Sequence, residues 1–314
     1  MRLPSARRLL GRRKPRDGRQ PAPFVVGVSR SGTTLLRLML DAHPELTIPP
    51  ETHFVPKLVN ACERLSAEGA STATIRAQAL EVMTTHPRWG DFGLEAEEVR
   101  ERLERHDPLT PGDAARSFYE AYAARHGKPR WGDKSPPYTW KSLRIQRALP
   151  EAHFVHLIRD GRDVALSLGE VSWGPDDVAE AARKWVGELR RARKRARQLL
   201  AGTYMEARYE DLVTDPEPVL RRICTFVDLP WDDAMLDYHR RAEERMRREM
   251  QRELKPLGGG TITAQERSRQ HQLVSQPPSA NRIGRWRTEM SREDRQAFES
   301  VAGKLLANLG YEVE

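Results

Sequence analysis

The stretch Pro23-Phe-Val-Val-Gly27-Val-Ser-Arg30-Ser-Gly32-Thr-Thr34-Leu-Leu36 decides the fold. It passes from a short apolar block through a Gly-bounded loop into Leu35, Leu36, Met39 and Leu40, which recur at helical spacing. A strand, a loop and a helix follow in that order. From Gly27 to Thr34 the spacing is that of a phosphate-binding loop, with Thr33 where an NTPase carries its lysine. Such a loop aims backbone N–H groups at an anion, and the helix N-terminus adds a favourable dipole. The lysine of an NTPase neutralises charge on a transferring γ-phosphoryl group. Without it, ordinary ATP or GTP chemistry is disfavoured. The expectation is a nucleotide whose reactive group is something else.

The formal charge of +8 on 314 residues is unevenly spread. Residues 1–20 hold eight Lys or Arg against Asp17, a net +7, which leaves +1 from Pro21 onward. A basic tail over 1–20, expected to be disordered, therefore precedes a nearly neutral body, where a nucleic-acid binder would carry its own basic stripe. Weak contact of the tail with anionic surfaces is a minor expectation. No apolar run of about 20 residues occurs, so no transmembrane segment is expected. Cys62 and Cys224 make no disulfide framework; with no export signal visible, free thiols in a cytoplasmic protein are expected.

After the first strand and helix, His43-Pro44 marks a stop and Leu46–Ile48 a short second strand. Residues 55–126 read as helical, with breaks at 86–90 and 107–112. Strands follow at 154–158 and 204–207, separated by a helix starting near Asp163 and a long charged helix over 178–200. Helices are expected at 217–227 and 291–309, and a charged one at 238–255. Strands spaced by helices imply βαβ units: one α/β domain over 21–314, a parallel sheet flanked by helices on both faces. Residues 256–282, rich in Gly, Ser and Gln, read as a mobile loop.

Two further islands suit anions. In Arg159-Asp-Gly-Arg162-Asp163-Val-Ala-Leu-Ser167 the arginine ends a strand, where open α/β sheets bind ligands, and Ser167 lies in the following helix. A guanidinium fork and a hydroxyl suit a second phosphate, although an Arg159–Asp163 pair would serve structure alone. In Arg130-Trp-Gly-Asp-Lys134-Ser-Pro-Pro137, Lys134 sits in a loop stiffened by Gly and Pro.

Together these islands resemble the sulfotransferase family, which uses 3′-phosphoadenosine-5′-phosphosulfate (PAPS). The resemblance extends to Tyr209-Glu-Asp-Leu212 and Ile283-Gly-Arg-Trp286. Arg30 in the loop, Asp41-Ala-His-Pro44 and Pro50-Glu51-Thr52 are closest in style to the tyrosylprotein sulfotransferase branch and its bacterial relatives. A donor with a 5′-phosphosulfate and a 3′-phosphate accounts for two anion sites and for the missing lysine.

The resemblance implies roles. Ser31, Gly32, Thr33 and Thr34 would cradle the 5′-phosphate; Arg30 would contact the sulfuryl oxygens; Arg159 and Ser167 would hold the 3′-phosphate. Lys134 would stabilise the leaving oxygen. Glu51 would act as general base, with His53 as its rival and a helix-capping role as the bland alternative. Tyr209, Ser275 and Arg285 would approach the nucleotide, with Trp286 closing over it. Trp173 and Trp185 are expected in the core or an interface, His43 in a structural role, and the run Arg190–Arg197 on a solvated helix face. No metal is required. The implied reaction moves the sulfuryl group of PAPS to a hydroxyl of a small molecule, lipid, glycan or peptide, and releases adenosine 3′,5′-bisphosphate. His53 and Lys57 stand where the tyrosylprotein branch favours arginines, so a peptide acceptor does not carry over. A non-catalytic nucleotide-binding scaffold and an ATP-dependent kinase are the alternatives.

Overall fold

The computed structural model describes residues 18–254 and 261–313. Most of the basic tail, and the part of the expected loop before Thr261, lie outside these residues. Four strands, β1 (Ala22–Gly27), β4 (Asp133–Lys134), β5 (Ala152–Ile158) and β6 (Tyr204–Arg208), form one parallel sheet in the order β4-β1-β5-β6. Two short strands, β2 (Leu46–Thr47) and β3 (Arg130–Trp131), pair in a second small sheet. Only Gly132 separates β3 from β4, so one extended segment changes partner at that residue. A Cβ there would meet the Pro23 carbonyl oxygen at 2.7 Å.

The apolar run of β1 is explained by burial on both faces. Phe24 and Val26 point into a core shared with Phe154 and helices α2 (Val55–Ala67), α3 (Thr72–Thr84), α4 (Ala96–Leu103) and α5 (Pro111–Arg125). Val25 points the other way, with Val155 and Leu157, into a core built on α1 (Thr33–Asp41). The remaining helices are α6 (Ser142–Ala148), α7 (Gly161–Gly169), α8 (Val178–Ala196), α9 (Tyr209–Thr214), α10 (Pro216–Phe226), α11 (His239–Glu249), α12 (Ala264–His271), α13 (Trp286–Glu289) and α14 (Arg292–Asn308). Among the described residues, no helix is long and apolar enough to cross a membrane.

The α/β expectation is borne out, with local corrections. Lys134 is not in a loop: Val25 pairs with it across β1 and β4. The described part of 256–282 is largely helical. Thr263 and Glu266 form a reciprocal cap, Thr263 N donating to Glu266 Oε2 (2.8 Å) and Glu266 N to Thr263 Oγ1 (3.2 Å), which starts α12. Trp185 is core, as expected, whereas Trp173 is 41% exposed. In the basic run of α8, Arg193 forms a two-pronged pair with Glu206 of β6, and Arg191 Nε donates to the Gly187 carbonyl at 3.1 Å. His43 is structural: its Nδ1 accepts from Glu45 N and its Nε2 meets the Pro230 carbonyl at 2.9 Å.

Candidate active site

The strands of the main sheet are parallel, so their carboxyl ends share one edge, and β2 delivers Glu51 to the same side. A cavity of about 910 Å³ opens there. The three sequence islands line it.

The first wall is the loop between β1 and α1. Ser31 N donates to the Val28 carbonyl at 3.1 Å, and the chain turns through left-handed conformations at Arg30 (φ 71°) and Gly32 (φ 91°). At Arg30 this costs on the order of 1–3 kcal/mol, a strain typical of ligand clamps. At Gly32 a side chain is also excluded by space, because a Cβ would stand 2.4 Å from Cδ2 of Tyr209. The first turn of α1 leaves its N–H groups without intrahelical partners. Ser31 is fully buried, yet its Oγ has no hydrogen-bond partner.

The second wall follows β5. Arg159 is buried; its Nη1 donates to the Arg30 carbonyl (3.1 Å) and its Nη2 to the Arg282 carbonyl (2.6 Å), while its Nε has no hydrogen-bond partner. Its guanidinium carbon lies 4.6 Å from the centre of the Tyr209 ring. The structural alternative, a tight pair with Asp163, is not realised: the closest approach is 3.9 Å, and Asp163 instead accepts from the backbone of Gly284 and Trp286. Arg30 Nε donates to Ser167 Oγ at 3.1 Å. Burial lowers the Arg30 pKa; Glu170 opposes that, and the nearby charges of Arg282 and Arg159 add to it. Three guanidinium groups gathered against their own repulsion describe a place for an anion. Arg30, expected at the sulfuryl oxygens, lines the cavity with its Nε donated to Ser167 Oγ.

The third wall joins β4 to the segment after β2. Lys134 Nζ lies 2.6 Å from Glu51 Oε1 and 3.3 Å from Thr34 Oγ1, so one ammonium bridges the phosphate loop and the carboxylate. The other oxygen, Oε2, is 2.6 Å from His53 Nε2 and 3.7 Å from Arg88. Burial would raise the Glu51 pKa, but Lys134, the His53 hydrogen bond and Arg88 outweigh it and hold the carboxyl well below its usual range. Glu51 caps no helix, since α2 begins at Val55. Its place is set from below, where Thr52, fully buried, donates to Asp133 Oδ2 (2.7 Å), meets Tyr138 Oη (2.8 Å) and takes Ser135 Oγ on its N–H (3.1 Å). Burial pushes Asp133 up to about 6, even with hydrogen bonds from Thr52 and Tyr119. This clamp holds His53 in a left-handed turn (φ 50°).

Three expected residues fall elsewhere. Arg285 pairs with Glu170 (2.8 Å) and Glu289 (2.6 Å) and does not line the cavity; Arg282, three positions earlier, does. Ser275 is likewise absent from the lining, which takes Val274 and Gln276 on either side of it. Trp286 is buried beneath the Arg162 guanidinium, 3.5 Å from its ring centre, and cannot close over a nucleotide. Trp173, expected in the core or an interface, lines the cavity, as do Arg37 and Arg88, to which no motif points. Arg88 sits in a Pro- and Gly-bearing break that read only as punctuation.

Comparison with known proteins places the chain in a family. Protein-tyrosine sulfotransferase A of Caenorhabditis elegans is 27% identical over 300 residues, covering 93% of this chain and 67% of that protein. Protein-tyrosine sulfotransferase 1 of Danio rerio is 27% identical over 299 residues, covering 93% of this chain and 72% of that one. The sulfotransferase domain of the Synechococcus PCC 7002 olefin synthase superposes with a TM-score of 0.60 at 24% identity, over 96% of this chain and 99% of that domain, and so shares the fold. The sequence pattern of the sulfotransferase family matches residues 21–233, more than half of the chain, and with the phosphate-type loop and its bridging lysine it shows that this protein belongs to the sulfotransferase family.

Proposed function

We propose that the protein transfers the sulfuryl group of PAPS to the hydroxyl of an acceptor and releases adenosine 3′,5′-bisphosphate. The observation that carries this is the Lys134 ammonium, which joins Thr34 of the phosphate loop to the Glu51 carboxylate. The residues fit such a donor. Ser31 Oγ and Arg159 Nε are buried polar atoms without partners at the two places where its anions would lie.

Ser31, Gly32, Thr33 and Thr34 would hold the 5′-phosphate; Arg159, Ser167 and Arg30 would hold the 3′-phosphate, with Tyr209 keeping the Arg159 plane in place. When bound, the donor supplies an electrophilic sulfuryl group and a phosphate leaving group. Glu51 takes the proton of the acceptor hydroxyl as that oxygen bonds to sulfur and the bond from sulfur to the bridging oxygen breaks. His53 orients the carboxylate through its second oxygen. As Lys134 turns to the negative charge on the departing oxygen, Glu51 loses its strongest counter-charge and its proton affinity rises. One lysine therefore couples leaving-group stabilisation to activation of the base. A cytoplasmic location belongs to the same proposal, supported by two buried free thiols, Cys62 and Cys224.

The test is ligand-linked stability. Adenosine 3′,5′-bisphosphate at a hundred times its Kd adds about 2.7 kcal/mol and raises Tm; Arg159→Ala removes most of the shift. Label should pass to acceptor from PAPS and not from ATP. Absence of any shift at millimolar bisphosphate would overturn the proposal.

A further inference from the structure

The cavity extends well beyond the anion sites. Leu35 and Arg37 of α1 line it past Thr34, and with them a strap made of two described segments, 238–254 through α11 and 261–274 through α12. The strap presents Tyr238, Met246, Met250, Leu254, Ile262 and Val274 to the cavity. Its middle is fixed by an antiparallel bridge, Leu254 N to Ile262 O at 2.9 Å and Ile262 N to Leu254 O at 2.8 Å.

Among the described residues of the strap, the charged ones lining the same space are already matched. Glu249, between the two methionines, takes both prongs of Arg37 (2.7 Å for Nη1 to Oε2), and Arg37 Nε is held by the Ile48 carbonyl at 2.9 Å. Arg267 takes both oxygens of Asp91 (2.6 and 3.1 Å) and the Glu249 carbonyl (3.2 Å). Asp91 lies 3.6 Å from Arg88, which reaches Glu51 at 3.7 Å. A belt of opposed charges thus runs from Lys134 and Glu51 round to Glu249 and Arg37, with the apolar strap above it.

Resting on the proposed donor site, we infer that this chamber is the acceptor subsite and takes a small, uncharged, apolar alcohol or phenol. A charged acceptor would be desolvated against methionine, leucine and isoleucine, and among the described strap residues lining the chamber the charged ones, Glu249 and Arg267, already have partners. Thioether side chains adapt to irregular apolar shapes. A single ligand commonly fills on the order of 300–1,000 Å³, and here donor and acceptor share about 910 Å³. That leaves room for a small body rather than for a polypeptide laid in extended form, which would also need main-chain partners. The acceptor class would therefore differ from that in the names of the protein-tyrosine relatives.

The test uses the full chain with PAPS and three acceptors: 2-naphthol, 4-hydroxyphenylacetate and a peptide with one tyrosine among glutamates. The inference expects kcat/KM for 2-naphthol to exceed both others by about tenfold or more. Met250→Asp and, independently, Ile262→Asp should lower naphthol turnover and naphthol binding to the bisphosphate-loaded protein by about tenfold, while the bisphosphate-induced Tm shift stays as in the wild type. Preference for the peptide or the carboxylate, equal rates, no naphthol transfer, or indifference to both substitutions overturns the inference when that shift is intact. Loss of the shift in the wild type instead overturns the donor site, and this inference with it.

Discussion

Thr52 donates a hydrogen bond to Oδ2 of Asp133 at 2.7 Å, and each residue is the immediate neighbour of a cavity group, Glu51 in one case and Lys134 in the other. The bond crosses from the segment after β2 to the edge strand β4, so a contact beneath the cavity sets the spacing of the pair that lines it.

Thr52→Val keeps the shape and removes the donor. The buried Asp133 oxygen then loses a partner, which should cost about 1–3 kcal/mol of stability. Misplacement of Glu51 should lower kcat by about 10- to 100-fold with little change in the bisphosphate Kd. Thr52→Ser should restore both. Stopped assays with titrated bisphosphate separate the two effects; an unaltered kcat in the valine variant would show that the clamp does not position the carboxylate.

Lys134→Met removes the strongest counter-charge on Glu51. In the wild type the folded-state pKa of Glu51 is depressed, so its charged form contributes stability above the ordinary carboxylate pKa and loses it as pH falls through the folded value. Without Lys134 the folded value rises. The acid limb of the kcat/KM profile should therefore move to higher pH, and activity should fall by about 10²–10³-fold through loss of charge stabilisation. A lowered rate with an unmoved acid limb would assign the base to another group.

Asp133 has the opposite sign. Its folded pKa is raised to about 6 from 3.8, so its contribution is fully present below the unfolded value and is lost as pH rises through the folded one. Asp133→Asn abolishes that dependence. Between pH 4 and 6 the stability of the wild type relative to the asparagine variant should decline by roughly 2–3 kcal/mol. Denaturant midpoints across that interval measure it, and parallel curves would contradict it.

The phosphate loop, the order of strands and helices, and Arg159 at a strand end with Ser167 in the next helix are legible in local spacing, whereas Glu51 and Lys134 enter the site only through the resemblance to the sulfotransferase family. An apolar strand followed by Gly and hydroxyl residues signals its own geometry. Lys134 was misplaced because a two-residue strand has too little periodicity to register. Residues 261–282 were read by composition, although Thr263 and Glu266 carry a helix-start signal at the right separation. Arg285 enters through the resemblance of Ile283-Gly-Arg-Trp286, and its neighbours Glu170 and Glu289 draw it away. Arg37 and Glu249, 212 positions apart, meet through tertiary folding alone, and no local pattern in either segment announces it.

Gly132 joins the two halves of the site. The cation travels with the large sheet and the carboxylate hangs from the small one, and the two are linked through a residue with no side chain, pressed against the Pro23 carbonyl. Divergence at that one join would alter the gap between proton acceptor and ammonium with no change in the residues of the nucleotide cradle.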